Sequence, residues 1–246
     1  MHDPGDWFDE TLDAFAHQDY PNLRVLFLVV SDGSADTTVA EIDARIQQRL
    51  PGSFVRSVGA NVGFGAAANE VLRLVEGDNG FFLICHDDVA PEPDALRIMV
   101  EELYRSNAGA VGPKLVEWDD PNVLQAVGLG MDRFGEIDPV IEVGEVDQEQ
   151  HDGVRDVFVL PSAYLLVRAD LFRQLGGFDP AIDFYGEDTE LCWRIHHSGA
   201  RVVVVPSARV RHVGQLHQRR PDLRHGLLRA RHRMRSVATL TGASRL

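Results

Sequence analysis

Cysteine, long apolar runs and positive charge are all scarce in this chain of 246 residues, and each shortage excludes a class of protein. The two cysteines, Cys85 and Cys192, lie in apolar segments without the spacing of a disulfide framework or a zinc site. No apolar run approaches the length of a membrane span, and residues 1–20 lack the basic start and apolar centre of a signal peptide. We therefore expect a protein of a reducing, cytoplasmic compartment.

The charge is strongly acidic and unevenly distributed. A net charge of −14 argues against a general nucleic-acid-binding protein. Residues 216–246 nevertheless carry eight arginines against one acid, so the rest of the chain is even more acidic than the total. An acidic protein repels an anionic substrate unless a cation or an arginine sits at the site, which is a first indication of a bound metal.

Strand-like and helix-like segments alternate along the chain, which predicts an α/β domain with a mostly parallel sheet. Short apolar runs are typical of strands covered on both faces, and apolar residues at helical spacing indicate amphipathic helices. The second half also contains an acidic, loop-like segment at 134–157. The predicted strands are 24–30, 53–58, 80–85, 157–167 and 201–205. The predicted helices are 7–17, 37–50, 66–75, 94–104, 169–175 and one from about Glu187.

Ligands of open α/β sheets gather beyond the carboxyl ends of the strands, and polar residues follow several predicted strands here. Asp32 offers an acceptor for a base or ribose, although Asp and Gly are also ordinary turn residues. The apolar run 80–85 leads into His86, Asp87 and Asp88. Carboxylates with an imidazole suit Mn²⁺ or Mg²⁺, but an Asp-Asp pair also caps turns and helices. The pattern alone leaves both interpretations open.

Glu187 and Asp188 fall in the first turn of a predicted helix. Acids there complement the helix dipole, and the same field would keep Asp188 ionised as a base for a hydroxyl proton. Gly63 and Gly65 precede another helix but form neither a P-loop nor a dinucleotide fingerprint, so they are a weak signal for phosphate binding or close packing. His212, after a strand-like segment, is by itself typical of a surface residue.

The order of these segments is more specific than any one of them. The chain contains SDGSADTT, NVGFGAAAN, an apolar strand into HDDVAPEPDAL, then VGPKL, LLVRADLF and GGFDPAIDFYGEDTELCWRIHHSGARVVVVPSARVRH. Over residues 3–213 it resembles a family 2 glycosyltransferase, in particular the rhamnosyltransferase and galactofuranosyltransferase branch of bacterial cell-envelope synthesis. The resemblance implies a GT-A fold, with a central sheet flanked by helices.

The resemblance also implies roles for single residues. Asp188 matches the general base and Glu187 its neighbour. Asp88, His86 and His212 match the metal-binding positions, with Mn²⁺ or Mg²⁺ as the ion. The residues that match positions around the nucleotide-sugar are Asp32, Asn61, Gly63, Phe64, Gly65, Asn69, Asp87, Trp193 and Arg194.

Three departures from the family pattern stand out. His86 replaces the first acid of the DxD motif, so metal binding would rest on Asp88, His212 and the diphosphate itself. Ser31 replaces an acid common in the nucleotide-base loop. Relatives also carry a buried strand ahead of the segment that matches His2–Gly5. The resemblance therefore implies either a sheet without its usual first strand, which leaves two strand edges lacking that partner, or a sheet that is completed differently.

The function implied is inverting transfer of a sugar from a UDP-, dTDP- or GDP-linked donor to a glycan or lipid-linked acceptor. One alternative is a catalytically degenerate nucleotide-sugar-binding domain. Another is a sugar nucleotidyltransferase, which would need a glycine-rich, basic phosphate loop near the N-terminus that this sequence does not contain.

We expect a glycosyltransferase domain at 1–215 and a basic, partly helical tail at 216–246. The arginines of the tail would attract an anionic membrane surface and place the protein peripherally at the inner face of the plasma membrane. An ordinary packed or solvated helix explains the same residues equally well. The acidic segment 134–157 lies where the family places acceptor-side loops, and its composition also fits a solvated, mobile loop.

Overall fold

A computed structural model describes residues 1, 3–31, 33, 37–214 and 224–241, and all structural statements concern these ranges. Asp32 lies outside them. The helices are α1 Phe8–Ala16, α2 Val39–Arg49, α3 Phe64–Ala68, α4 Val71–Leu74, α5 Ala95–Ser106, α6 Ala169–Gln174, α7 Glu187–His197 and α8 His225–Leu240. The strands are β1 Leu26–Val30, β2 Phe54–Val58, β3 Phe81–Cys85, β4 Val89–Pro91, β5 Ala110–Glu117, β6 Leu124–Ala126, β7 Leu129–Met131, β8 Ile137–Pro139, β9 Arg155–Asp156, β10 Tyr164–Arg168 and β11 Val202–His212.

The strands form one large sheet and two small ones. The large sheet has the order β3-β10-β5-β11-β4, with β6 paired to β5 and β9 paired to β11. Strands β1 and β2 form a separate parallel pair, and β7 and β8 form an antiparallel hairpin. Helices α6 and α7 contribute to the apolar cluster on one face of the large sheet, and α5 contributes to the cluster on the other. A third cluster joins α1 and α2 to β1.

The large sheet is mixed, which corrects the prediction of a mostly parallel sheet. Strand β11 runs parallel to β5, but β10 lies antiparallel to both β3 and β5, and β4 is antiparallel to β11. Strands β3, β5 and β11 therefore share one direction, while most hydrogen-bonded pairs are antiparallel. The connection from β5 to β10 contains no crossover helix in its described residues, so β10 is not constrained to run parallel to its neighbours.

Strands β1 and β3 belong to different sheets, and the described residues provide no hydrogen-bonded strand that joins them. Met1 lies along β1 and bonds two of its residues. Its amino group donates to the carbonyl oxygen of Leu28 at 2.5 Å, and its own carbonyl accepts from the backbone N–H of Val30 at 2.9 Å. The space between the two edges belongs to a cavity that continues to the carboxyl end of β3.

Two predicted elements differ from the observed ones. The strand predicted at 157–167 is regular only from Tyr164, because Val159 forms a single bridge to Leu129 and Pro161 has no N–H to continue a ladder. The helix predicted at 66–75 is divided into α3 and α4. The break falls at Asn69, whose side-chain amide bonds the backbone N–H and carbonyl of Phe178.

The acidic segment 134–157 is anchored to the large sheet at Asp147 and Asp152, while most of its residues are exposed to solvent. Lys114, the single lysine of the sequence, is buried on β5. Its ammonium donates to both carboxylate oxygens of Asp147 at 3.0 and 2.9 Å and also reaches Asp152. Arg209 donates to the same Asp147 at 2.5 Å. Since a buried ammonium is costly without anionic partners, these contacts fix the segment against β5 and β11.

No helix in the described ranges combines the length and apolarity needed to cross a membrane. Both cysteines are free thiols, with Cys192 buried and Cys85 half-buried, as their apolar surroundings predict.

Candidate active site

A single cavity of about 2150 Å³ extends from the gap between β1 and β3 to the carboxyl end of β3 and the start of α7. It is lined by Asp88 and Asp188, the two carboxylates that the sequence places 100 positions apart. The other predicted site residues in its lining are Asn61, Gly63, Phe64, His86, Asp87, Glu187, Trp193 and His212. The fold therefore brings ten of the predicted residues to one concave surface.

His86, Asp88 and His212 form a cluster whose ligand atoms all lie within 4.8 Å of one another. His86 follows β3, and His212 ends β11. The His86 Nδ1 and His212 Nε2 atoms are 3.3 Å apart, and they lie 3.7 and 3.4 Å from Asp88 Oδ1, respectively. Asp88 is only 3% exposed, so its carboxylate faces the imidazoles rather than bulk water. Two imidazole nitrogens and one carboxylate oxygen are a donor set that fits a divalent transition-metal ion such as Mn²⁺.

Hydrogen bonds orient both imidazoles toward the centre of the cluster. The Oε1 atom of Gln125 lies 2.5 Å from His212 Nδ1, which assigns the proton to Nδ1 and leaves the Nε2 lone pair toward Asp88. Gln125 Nε2 also donates to the His212 carbonyl at 3.1 Å. On the other ring, His86 Nε2 lies 3.5 Å from Ser162 Oγ, so that Nδ1 faces the cluster. Such outer contacts commonly fix the tautomer of metal-binding histidines.

The acidic pair lies at the first turn of α7, after Gly186, whose φ of +95° favours glycine. Glu187 is 7% exposed, and its Oε1 accepts from Ser162 Oγ at 2.9 Å. Asp188 is half-buried, and its Oδ1 accepts from the backbone N–H of Thr189 at 2.7 Å. Burial raises the pKa of both carboxyl groups, and the adjacent Asp188 charge contributes to raising that of Glu187 to about 7. The pair therefore offers a proton-holding acid beside a more accessible carboxylate.

Ser162 links the two halves of the site. Its hydroxyl donates to Glu187 and lies within 3.5 Å of His86 Nε2. Neither Ser162 nor Gln125 was predicted from the sequence, because a single serine or glutamine in a loop or short strand carries no spacing signal. Their positions depend on long-range packing of β6 and of the segment before β10.

The loop 183–186 lies between the predicted donor-binding glycine and the C-terminal helix. A side chain at Gly63, where φ is +87°, would come within 2.1 Å of the carbonyl oxygen of Asp183. On the other side, buried His232 of α8 places its Nδ1 2.8 and 2.9 Å from the carbonyl oxygens of Phe184 and Tyr185. The chain leading into the acidic pair is therefore held on both sides.

Three predicted residues lie outside the cavity lining and make structural contacts. Gly65 packs against Phe178, with 2.9 Å between an added Cβ and the phenylalanine Cβ. Asn69 bonds the backbone of Phe178 through its amide. Arg194 donates to Glu190 and to the carbonyl oxygens of Leu175 and Gly177. Their proposed contact with the nucleotide-sugar stays a prediction, as does that of Asp32.

Solved structures with a similar backbone define the fold. GalNAc-T7, solved with UDP, GalNAc and Mn²⁺, has a TM-score of 0.68 at 15% identity, over 86% of this chain and 41% of that one. A mannosyltransferase from Pyrobaculum calidifontis, solved with GDP-Man and Mn²⁺, has a TM-score of 0.64 at 20% identity, over 97% of this chain and 61% of that one. The chain has the GT-A fold, as the resemblance implies.

Residues 5–239 match the family described as Glycosyltransferase like family 2, so the chain belongs to this family of glycosyltransferases. It is 30% identical, over 208 residues, to the N-acetylglucosaminyl-diphospho-decaprenol L-rhamnosyltransferase of Mycobacterium tuberculosis. The match covers 76% of this chain and 66% of that relative. The resemblance to family 2 is confirmed.

The raised pKa of Glu187 predicts that stability falls as the pH rises. The folded protein keeps this proton up to a pKa of about 7, whereas an ordinary glutamate loses it near 4.5, so the folded state binds more protons between these values. We expect the wild type to lose about 3 kcal/mol of unfolding free energy between pH 5 and pH 8 relative to Glu187→Gln, which keeps an acceptor for Ser162. Urea unfolding of both proteins in EDTA measures the difference. Parallel pH profiles would show that Glu187 ionises normally.

Proposed function

We propose that this chain transfers a sugar from a nucleotide-diphosphate donor to an acceptor hydroxyl, with inversion at the anomeric carbon. The observation that carries the proposal is that the cluster of His86, Asp88 and His212 shares one cavity with Asp188. Asp188 acts as the base and accepts the hydroxyl proton as the new glycosidic bond forms and the bond to the diphosphate breaks. The half-buried position of Asp188 leaves it reachable by an acceptor.

The leaving diphosphate belongs at the His86, Asp88 and His212 end of the cavity. A divalent cation bound there would stabilise the negative charge that develops on the diphosphate. Two imidazoles in the set favour Mn²⁺ over Mg²⁺, since Mg²⁺ prefers oxygen ligands. The Mn²⁺ in the complexes of GalNAc-T7 and the Pyrobaculum mannosyltransferase supports the same choice.

The sugar nucleotide would lie along Asn61, Gly63 and Phe64, which line the cavity next to the cluster. Phe64 contacts the His86 ring edge-on, with 4.6 Å between ring centroids. The related solved structures contain UDP or GDP-Man, and we propose a UDP-, dTDP- or GDP-linked donor for this chain.

The acceptor we propose is a sugar carried on a polyprenyl diphosphate, in the synthesis of a cell-envelope polysaccharide. Support comes from the mycobacterial relative, which is named for such an acceptor. An enzyme for this acceptor works at a membrane surface, which fits a peripheral position at the inner face of the plasma membrane.

The base assignment predicts the effect of Asp188→Asn. This change keeps the shape of the side chain and removes the proton acceptor, so we expect transfer to fall about 10²- to 10⁴-fold while donor binding survives. Turnover of radiolabelled donor and calorimetric titration with the donor measure the two properties. A matched control is Glu101→Gln, whose exposed carboxylate lies on α5 outside the cavity lining.

Undiminished transfer by Asp188→Asn would show that Asp188 is not the base. Donor binding by the wild type without transfer or hydrolysis would indicate a degenerate sugar-nucleotide-binding domain instead.

The hydrogen bond from His212 to Gln125 predicts a metal-affinity defect. Gln125→Leu removes the acceptor that fixes the His212 tautomer, so we expect Mn²⁺ affinity to fall about 10-fold or more. Gln125→Glu retains an acceptor and should preserve most of the affinity. Calorimetric titration of the two variants with Mn²⁺, without donor, makes the comparison. Equal Mn²⁺ affinity in Gln125→Leu and wild type would exclude His212 as a ligand.

The outward face of α8 is the part of the C-terminal region suited to a membrane surface. Leu227 and Met234 are 60% and 70% exposed, and Arg231 lies between them on the same face. Exposed apolar groups beside arginine bind an anionic bilayer through both insertion and charge, each nearby arginine contributing about 1 kcal/mol.

Sedimentation with phosphatidylglycerol vesicles checks this membrane surface. We expect the double variant Leu227→Ser and Met234→Ser to pellet several-fold less than wild type, because the apolar contribution is lost. Tyr104→Ser is the control, since Tyr104 is equally exposed on α5. Equal pelleting of the wild type, the double variant and Tyr104→Ser would show that the outward face of α8 does not bind the membrane.

A further inference from the structure

We propose that Arg229 and Arg233 of α8 form a binding site for the diphosphate of the acceptor. This inference rests on the proposed function, because it assigns the acceptor's anionic group to a place in the same cavity. Both arginines line the cavity together with Glu187 and Asp188. They are four residues apart, and therefore lie one above the other on the same side of the helix.

The side of α8 that faces the cavity adjoins its buried side and lies opposite its outward face. Gly226, Ala230 and Ser236 line the cavity with the two arginines. His232 and Ser236 are buried against the rest of the protein. Arg231 follows Arg229 by two residues, so it lies about 200° around the helix and belongs to the outward face.

One contact holds the Arg229 guanidinium against the loop 183–186, and another holds the Arg233 guanidinium against the turn between β7 and β8. The Arg229 guanidinium carbon lies 4.6 Å from the centre of the Tyr185 ring, two residues before Glu187. The Tyr185 hydroxyl is in turn 2.7 Å from His225 Nδ1 at the start of α8. Arg233 forms an ion pair with Glu136 in the turn between β7 and β8. A diphosphate carries more negative charge than the single Glu136 carboxylate and can accept paired hydrogen bonds from a guanidinium.

The charge of the cavity lining makes these arginines necessary for an anionic acceptor. Near the reacting centre the lining carries the carboxylates of Asp87, Asp88 and Asp188, which together repel a diphosphate. The remaining arginines of the described lining, Arg24 and Arg56, lie just before β1 and within β2. Within the described lining, the positive charge outside the region of β1 and β2 is therefore carried by α8.

The position relative to the donor assigns this site to the acceptor. The loop 183–186 touches Gly63, a predicted donor contact, on one side and α8 on the other. The donor diphosphate belongs at the His86, Asp88 and His212 cluster, so the two diphosphates would lie on different sides of the loop that precedes the base. An acceptor held by α8 would then present its hydroxyl to Asp188 from the side opposite the leaving group.

Binding of farnesyl diphosphate tests the site, because this probe combines the diphosphate with a short isoprenoid. Titrations are made calorimetrically in EDTA, so that no metal recruits the probe to the His86, Asp88 and His212 cluster. We expect Arg229→Gln and Arg233→Gln each to weaken binding about 10- to 100-fold, because each removes a charge-assisted hydrogen-bonding group. Arg231→Gln, on the outward face of the same helix, should bind the probe as the wild type does.

The outcomes separate this inference from the proposed function. Wild-type affinity in Arg229→Gln and Arg233→Gln, an equal loss in Arg231→Gln, or no binding by the wild type would overturn the acceptor site. If binding of the probe is lost as expected while Asp188→Asn remains fully active, the acceptor site stands and the proposed base fails.

Discussion

Everything in the candidate site depends on holding a metal-binding cluster and a pair of carboxyl groups on two sides of one cavity. On one side, His86, Asp88 and His212 present lone pairs toward a common point; on the other, Glu187 and Asp188 present carboxyl groups at the positive end of α7. Ser162 hydrogen-bonds to Glu187 and lies next to His86, so a single hydroxyl ties the two sides together. Because Asp88 and Glu187 are buried, their electrostatic effects on neighbouring groups are stronger than on an exposed surface.

The rest of the fold holds the metal-binding cluster and the acidic pair in position. Strand β11 runs beside β5 and delivers His212 next to the end of β3, while Lys114 ties the acidic segment onto the same strands. Helix α8 covers the loop before α7 through His232, whose imidazole is 2.8 and 2.9 Å from two loop carbonyls. The C-terminal helix is therefore part of the wall of the cavity. The division of the chain at residue 215 stays a prediction.

The sequence predicts the parts of the site that have a local pattern. Asp88 and Asp188 each sit at the end of an apolar strand or the start of an amphipathic helix, and the order of such segments indicated the GT-A fold. Gln125 and Ser162 have no such pattern, because their importance arises only when β6 and the segment before β10 pack beside His212 and His86. The direction of β10 could not be predicted either, because apolar composition predicts a buried strand but does not distinguish parallel from antiparallel pairing.

The central claim is that a divalent cation and the Asp188 carboxylate face each other across the same cavity. An anomalous difference map from crystals grown with Mn²⁺ and UDP, with data collected at the manganese absorption edge, tests this directly. The account predicts one strong peak within bonding distance of Asp88 and His212, beside the UDP diphosphate and across the cavity from Asp188. UDP bound in that cavity with the manganese peak elsewhere, or with no peak, would contradict it.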